Sequence, residues 1–398
     1  MTLIRRVRRR ARIGPGLVRA GLVVATLGAA GALGLAGPAQ PASAATVLQP
    51  PSVPQSGAYV GAWVAPSDQL EPQLTRGISE EADQLDHFEA AIGRPLGFVH
   101  VFQSWTGVVE NRGLNALSAN GAIPMIDWAP PSESTGALVS IIDGQDDAQI
   151  VRYADQLIRY GRPVFLRWFW EFNFPNSSRS KSAFAGCHKL YGGTGTNAEC
   201  FVAAWQRIYW IFKGNPAVDQ APPGNPPPPQ GAYNVAFAWC PGIGGAYTIP
   251  TTSPYISDYY PGDNYVDWIG IDGYDRQTAP SAGGIDQVLV GSPGSPSNFY
   301  ATWATHDKPM MLGETGAPLC TTGGPQNSCT SYSGDVQSTF LADLETQLPT
   351  QFPLIHAVGY FDTASNATVW TLQNEPGSPG LTAFASMLAM PYFSFIDP

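Results

Sequence analysis

Pro163-Val-Phe-Leu-Arg167-Trp-Phe-Trp170 is a short, almost uninterrupted apolar run, and Glu171-Phe-Asn173 follows it directly. A strand with one wet face alternates apolar and polar residues; a continuous run belongs to a strand covered on both faces, as in a parallel sheet. Seven further runs of this kind occur: Ala58–Val64, Leu96–Gln103, Ile123–Trp128, Tyr233–Trp239, Val266–Tyr274, Pro309–Gly313 and Ile355–Phe361. Stretches with helical spacing separate them. Glu80–Ile92 places Ala82, Leu85, Phe88 and Ala91 at three-residue steps, and Ala148–Tyr160, Cys200–Phe212, Val336–Leu348 and Leu381–Leu388 are similar. Eight buried strands alternating with helices predict an α/β fold, a (β/α)8 TIM barrel. An open doubly wound sheet is the competing architecture, but no glycine-rich phosphate turn follows the first strand.

Composition narrows the function classes. The 398 residues carry 21 Lys+Arg against 31 Asp+Glu, a net charge of −10, and 44% are hydrophobic. That supports a large core and excludes the basic surface of a nucleic-acid binder. Residues 1–44 read as a secretion signal peptide: Arg5, Arg6, Arg8, Arg9, Arg10 and Arg12 precede an apolar stretch from Leu17 to Leu35, and Ala42-Ser43-Ala44 offers a small-residue cleavage site. Its loss, which also removes Arg19, would leave 14 basic and 31 acidic residues, a net charge of −17. Residues 45–56 are expected to be a flexible N-terminal segment, and 57–398 a single barrel domain. The Pro-rich run Pro222–Gln230 reads as a stiff loop on the face away from the strand C-termini. The protein is thus expected to be extracellular and monomeric, with no membrane partner after cleavage.

In a barrel of this kind, side chains at the C-terminal ends of the strands face the cleft. Glu171 ends the fourth strand. Glu314, in Lys308-Pro-Met-Met-Leu-Gly313-Glu314-Thr-Gly316, ends the seventh. Arg167 shares the inward parity of the fourth strand. Each glutamate alone could be a solvated loop residue; the two together suit glycoside hydrolysis, in which one carboxyl protonates the leaving oxygen and the other attacks the anomeric carbon. Trp63, Trp105, Trp128, Trp168, Trp170, Trp239 and Trp370 lie at or near strand ends, and two or three of them are expected to be stacking surfaces, Trp128, Trp239 and Trp370 foremost. Trp168, Trp205 and Trp210 read as structural. Asp127 and Asp272 are candidate hydroxyl binders, and Asp267 reads as a cap at a strand entry. No G-x-S-x-G occurs, and the five His do not cluster with Cys, so neither a serine hydrolase nor a zinc site is indicated. No metal or cofactor is expected.

These motifs resemble glycoside hydrolase family 26, the β-mannanase family, within the retaining (β/α)8-barrel glycosidases. Its fourth-strand pattern, Arg-x-x-His-Glu-x-Asn, is matched by Arg167, Glu171 and Asn173, with Trp170 in place of the His. The stretches Gly57-Ala-Tyr-Val-Gly61-Ala-Trp63, Tyr260-Pro-Gly-Asp-Asn-Tyr-Val-Asp267-Trp-Ile-Gly270-Ile-Asp272-Gly273-Tyr274 and Lys308–Gly316 are also similar. The resemblance spreads over most of residues 57–362. It implies Glu171 as acid/base, Glu314 as nucleophile, Tyr274 as a donor to Glu314, and Arg167, Trp170, Asn173 and Asp272 around the substrate. A neutral β-linked polysaccharide follows as substrate, β-1,4-mannan first, with β-glucan and β-1,3-xylan as alternatives. A non-catalytic carbohydrate-binding barrel is the rival class, and a binder would retain an insoluble glycan without releasing sugar.

Export permits disulfides. Cys187 and Cys200 flank a short Gly/Thr/Asn-rich stretch, as do Cys320 and Cys329; each pair is expected to bridge, leaving Cys240 free. Closing a loop of about 15 residues is worth roughly 3 kcal/mol in the chain-entropy description. Non-reducing peptide mapping of the exported protein should recover both bridges; Cys240 found in a bridge would overturn the pairing.

Overall fold

A strand that is apolar on both faces needs an inner and an outer cover, and the chain supplies both by closing its sheet. The computed structural model describes residues 47–64, 78–131, 136–174, 178–214, 231–243, 255–276, 284–290, 298–319, 335–363, 370–372 and 377–393. Eight parallel strands are β1 (Tyr59–Val64), β2 (Phe98–Gln103), β3 (Ile123–Trp128), β4 (Val164–Trp168), β5 (Val235–Trp239), β6 (Trp268–Gly273), β7 (Met310–Thr315) and β8 (Ile355–Asp362). They pair in sequence order, β8 pairs with β1, and β5 joins β6 through Ala238 beside Trp268, which closes the barrel. A two-residue strand, Gly242–Ile243, extends the C-terminal end of β6. The fold is the (β/α)8 barrel expected from the sequence.

Helices Ile78–Ile92, Asp147–Tyr160, Asn197–Lys213, Asp335–Gln351 and Pro379–Ala389 cover the outside. The cap of Asn197–Lys213 is built by side chains. Thr196 accepts from Glu199 N–H while Glu199 reaches back to Thr196, which satisfies two otherwise orphaned donors. None of the described helices is long and apolar enough to cross a membrane. Residues 46–398 form one compact unit. Within 45–56, read as flexible, Leu48, Pro51 and Pro54 are buried and the Tyr59 hydroxyl donates to the Ser52 carbonyl at 2.9 Å.

Of the two expected disulfides, the structure describes one. Cys187 and Cys200 are bridged, with 5.8 Å between their Cα atoms, and Cys240 is a buried free thiol. The second expected bridge is not seen among the described residues, because Cys320 and Cys329 both lie outside them. The pairing of Cys329 with Cys320 therefore stays an expectation from their spacing. The signal peptide (1–44) and the Pro222–Gln230 loop also lie outside the described residues.

Strand parity divides the interior into layers. Tyr59, Phe98, Met125, Phe165, Trp268 and Met311 fill the N-terminal half of the barrel. Above them four strands carry glycine (Gly61, Gly270, Gly313 and Gly359) beside His100, Asp127 and Arg167. These glycines are needed for space. A Cβ on Gly270 would stand 2.2 Å from Cys240 Sγ, and one on Gly313 would stand 2.6 Å from Asp272 Oδ1 and 3.3 Å from an Arg167 guanidinium nitrogen. Overpacking of this kind costs about 1–3 kcal/mol. Gly270→Ala should therefore lower the urea midpoint of unfolding, and adding Cys240→Ala should recover most of the loss. An unchanged midpoint for the single variant would show that this layer has slack.

Candidate active site

The site is assembled around Arg167. Its side chain is fully buried and points along the barrel axis from β4. Nε donates to Asp127 Oδ1 at 2.5 Å, one terminal nitrogen donates to Asp272 Oδ1 at 2.7 Å, and the other donates to Glu314 Oε1. Glu314 Oε2 accepts from the Tyr274 hydroxyl at 2.6 Å. Both oxygens of Glu314 are thus acceptors. Asp127 also accepts from His100 Nδ1 at 2.8 Å. Burial raises the Asp127 pKa, but Arg167 and His100 outweigh it and hold the carboxyl below the usual range. Asp272 goes the other way. Burial pushes it well up, with Glu314 and Glu171 adding and Arg167 opposing, and its Oδ2 has no hydrogen-bond partner. Burial and the neighbouring Glu314 push the Tyr274 hydroxyl up as well, so it stays a donor.

Glu171 arrives by an irregular path. Phe169 and Glu171 both have positive φ, 48° and 54°, conformations uncommon outside glycine and concentrated at functional sites. The Glu171 N–H donates to the Cys240 carbonyl at 3.0 Å, which pins the turn to the end of β5. The half-buried Glu171, Asp272 and Glu314 each bring a carboxylate oxygen within 4.8 Å of the others. Carboxyl groups of a retaining glycosidase stand about 5–5.5 Å apart, and those of an inverting one about 6.5–9.5 Å. The spacing suits direct attack by one carboxylate rather than by an interposed water. Three carboxylates could also hold a cation, but two of them already bond the Arg167 guanidinium.

Glu314 owes its aim to a break in register. Opposite β6, Leu312 pairs with Ile271 and Glu314 with Asp272, so one residue of β7 is extra. Strict alternation would turn Met311, Gly313 and Thr315 inward. The bulge instead lets Glu314 reach Arg167.

Aromatic rings form the mouth: Trp63, Phe102, Trp170, Phe361 and Trp370, with Tyr274 against them. Trp63 stacks on Phe361 at 4.8 Å, and Trp370 lies 4.7 Å from Tyr274. The Arg167 guanidinium carbon is 5.5 Å from the Trp170 ring centroid. Two expected stacking platforms are not here. Trp128 and Trp239 have outward parity and are fully buried under the helices. Trp128 is sandwiched between Trp105 and Tyr153, each at 4.3 Å, and Trp239 packs on Trp303 at 4.7 Å. Asn173, expected at the substrate, spends its amide on the backbone of Gly242, accepting from N–H at 2.8 Å and donating to C=O at 2.9 Å. Trp168 and Trp205 are structural as read, and Asp267, directly before β6, accepts from Phe237 N–H in the middle of β5. His100, Phe102 and Phe361 were missed. The alternation Phe98, His100, Phe102 along β2 was the available signal.

The comparisons agree with this geometry. The model of Glycosyl hydrolase family 26 matches residues 245–294, which include Asp272 and Tyr274. Endoglucanase H of Acetivibrio thermocellus is 30% identical over 271 residues, 65% of this chain and 24% of that protein. The β-1,3-xylanase TXYA of a Vibrio species is 22% identical over 60% of this chain and 43% of that protein. The chain thus spans less than half the length of these curated relatives. Among solved structures, a GH26 β-mannanase from Bacteroides ovatus covers 86% of this chain and 92% of its own (TM-score 0.51, 16% identity). The catalytic domain of a GH26 endo-β-1,4-mannanase from Bacillus sp. JAMB-750 covers 85% and 88% (TM-score 0.54, 15% identity). These two likenesses show the barrel. Fold and matches are similar to those of O-glycosyl hydrolases, and the matched segment resembles glycoside hydrolase family 26.

Trp370 is held by a clamp. Its N–H donates to Thr363 C=O at 2.7 Å, Gln337 and Tyr360 donate to its carbonyl, and Asp362 accepts from Leu372 N–H at 2.7 Å. Burial raises Asp362 to about 6, against the hydrogen bonds from Leu372 and Thr371. Its folded pKa lies above the unfolded value of about 3.9. The folded protein therefore binds the extra proton between those values, and this group's contribution to stability falls as pH rises from about 4 to 6. Asp362→Asn, which keeps the acceptor, should gain on wild type in urea stability as pH rises through that window. A difference that does not change between about pH 4 and 7 would show that Asp362 does not titrate there.

Proposed function

We propose that the protein is a secreted retaining glycoside hydrolase that cuts internal linkages of a neutral β-linked polysaccharide. The observation that carries it is the carboxylate pair: Glu314, both oxygens accepting hydrogen bonds, with a Glu171 oxygen within 4.8 Å. Glu314 attacks the anomeric carbon as Glu171 gives its proton to the leaving oxygen. Glu171 then takes a proton from a water whose oxygen bonds the anomeric carbon as the bond to Glu314 breaks, which releases the sugar with its configuration retained and restores both carboxyl groups. Arg167 and Tyr274 orient Glu314. Trp170, Trp370 and Trp63 line the mouth, where an apolar sugar face would stack. Internal cleavage suits an aromatic-lined mouth, and secretion rests on the leader read at 1–44.

The backbone sugar has two readings. The family resemblance points to β-1,4-mannan. The 30% identity to a protein named Endoglucanase H favours a β-glucan as the second. Trp170 in place of the family His bears on the choice, because it lies directly over Arg167.

Glu314→Ala should abolish turnover. Glu171→Ala should lose about 10²–10⁴-fold on polysaccharide, the usual worth of general acid catalysis, and should still be glycosylated by substrates with a good leaving group. Near-full activity of Glu171→Ala on polysaccharide would remove it from the mechanism. NMR of early products from mannan, β-glucan and β-1,3-xylan should show the retained anomer and a ladder of oligosaccharides. An inverted first product would refute the double displacement, and monosaccharide alone would refute internal cleavage.

A further inference from the structure

Arg276 stands two residues beyond Tyr274 and is exposed. Its guanidinium carbon lies 5.8 Å from the Tyr274 ring centroid and 5.5 Å from that of Trp370. The cation therefore lies beside Tyr274, which bonds Glu314, and beside Trp370, which packs on Tyr274. The segment that carries it is fixed. Asp275 is buried, and its N–H donates at 2.9 Å to the carbonyl of Gly316, two residues past Glu314. Gly316 has room for no large side chain, since a Cβ there would already stand 3.5 Å from Tyr274 and 3.7 Å from Trp370. Arg276 is thus tied to the strand that bears the nucleophile.

Among the described residues no carboxylate and no carbonyl accepts from the Arg276 guanidinium. By contrast, each donor group of Arg167 below it is taken. A guanidinium held near aromatic rings by its charge still keeps five N–H donors in its own plane. Those donors form a planar fork suited to two adjacent oxygen acceptors. A sugar seated over Glu171 and Glu314 presents such a pair in neighbouring ring hydroxyls. An acidic sugar would meet the Glu171, Asp272 and Glu314 cluster and a chain of net charge −10.

We propose that Arg276 is a specificity-determining substrate contact that grips two neighbouring hydroxyl oxygens of a neutral sugar bound beside the scissile linkage. This rests on the glycosidase reading above, so the test separates the two. Mannopentaose, cellopentaose and xylopentaose are titrated calorimetrically into Glu171→Gln protein, with and without Arg276→Met, which keeps most of the apolar stem. The expected result is a rise in Kd of about tenfold for the preferred pentasaccharide, of the order expected for a lost charge-assisted hydrogen bond. Arg276→Lys should recover only part, because the fork is gone. In the active enzyme Arg276→Met should raise KM by a similar factor and leave kcat within about twofold, with an unchanged near-ultraviolet circular dichroism spectrum from Trp370 and Tyr274. A Kd that stays within about twofold of the parent overturns the proposal, as does an altered aromatic spectrum that accounts for the loss. Tighter, Arg276-dependent binding of a glucuronate-bearing oligosaccharide overturns the neutral-hydroxyl assignment. Normal turnover with Arg276-independent binding sinks this inference alone; Arg276-dependent binding without turnover by the parent enzyme sinks the catalytic reading alone.

Discussion

One buried guanidinium organises the centre of this barrel. Arg167 is wholly out of water and binds Asp127, Asp272 and Glu314, side chains from three other strands. A buried charge is costly unless it is paired and its hydrogen bonds are satisfied. Here the charge is met by an excess of carboxylates, and the excess is resolved by their environments. Asp127, which also accepts from His100, is held low, while Asp272, with one oxygen unpartnered, is pushed toward the neutral acid. Glu314 receives one guanidinium nitrogen and the Tyr274 hydroxyl, so the cation fixes where this carboxylate points.

That arrangement needs an empty layer in a packed interior. Barrels of this type are usually filled by branched side chains. This one carries glycine on four strands at the level of Arg167, and an added Cβ at Gly270 or Gly313 would collide with the groups already there. Below the layer, Phe165, Trp268 and Met311 make a solid floor. Above it, Trp63, Trp170, Trp370 and their neighbours make an apolar rim. The carboxylates therefore sit between a dry floor and an aromatic mouth. Low dielectric surroundings strengthen the field each charge exerts on its neighbours.

The rim is held from outside the barrel. Gln337, on the helix Asp335–Gln351, donates to the carbonyls of Ala317, Trp370 and Thr371, and Tyr360 shares two of these acceptors. The backbone beside the mouth is thus satisfied without water, and Trp370 keeps its face against Tyr274. A change on that helix would reach Glu314 through two aromatic contacts, with no residue of the cleft replaced.

The fold class and the two strand-end glutamates were legible in the sequence. Continuous apolar runs of strand length read as strands covered on both faces, and all eight fell within a few residues of the observed β1–β8; Ile123–Trp128 coincides with β3. Glu171 and Glu314 were visible because an acid directly after such a run has to emerge at the strand end. Tertiary structure alone decided which aromatics gather beside Arg167 and Tyr274. Trp128 and Trp239 end their strands as Trp63 does, but pleat parity turns them into the helix layer, and parity cannot be read from a run that is apolar on both sides. It also decided the aim of the two glutamates. Glu314 turns inward through a bulge in β7, and Glu171 through two left-handed residues. Asn173 bonds the backbone of Gly242, 69 residues distant in sequence. Such pairings arise between strands that meet only when the barrel closes, so no local pattern carries them.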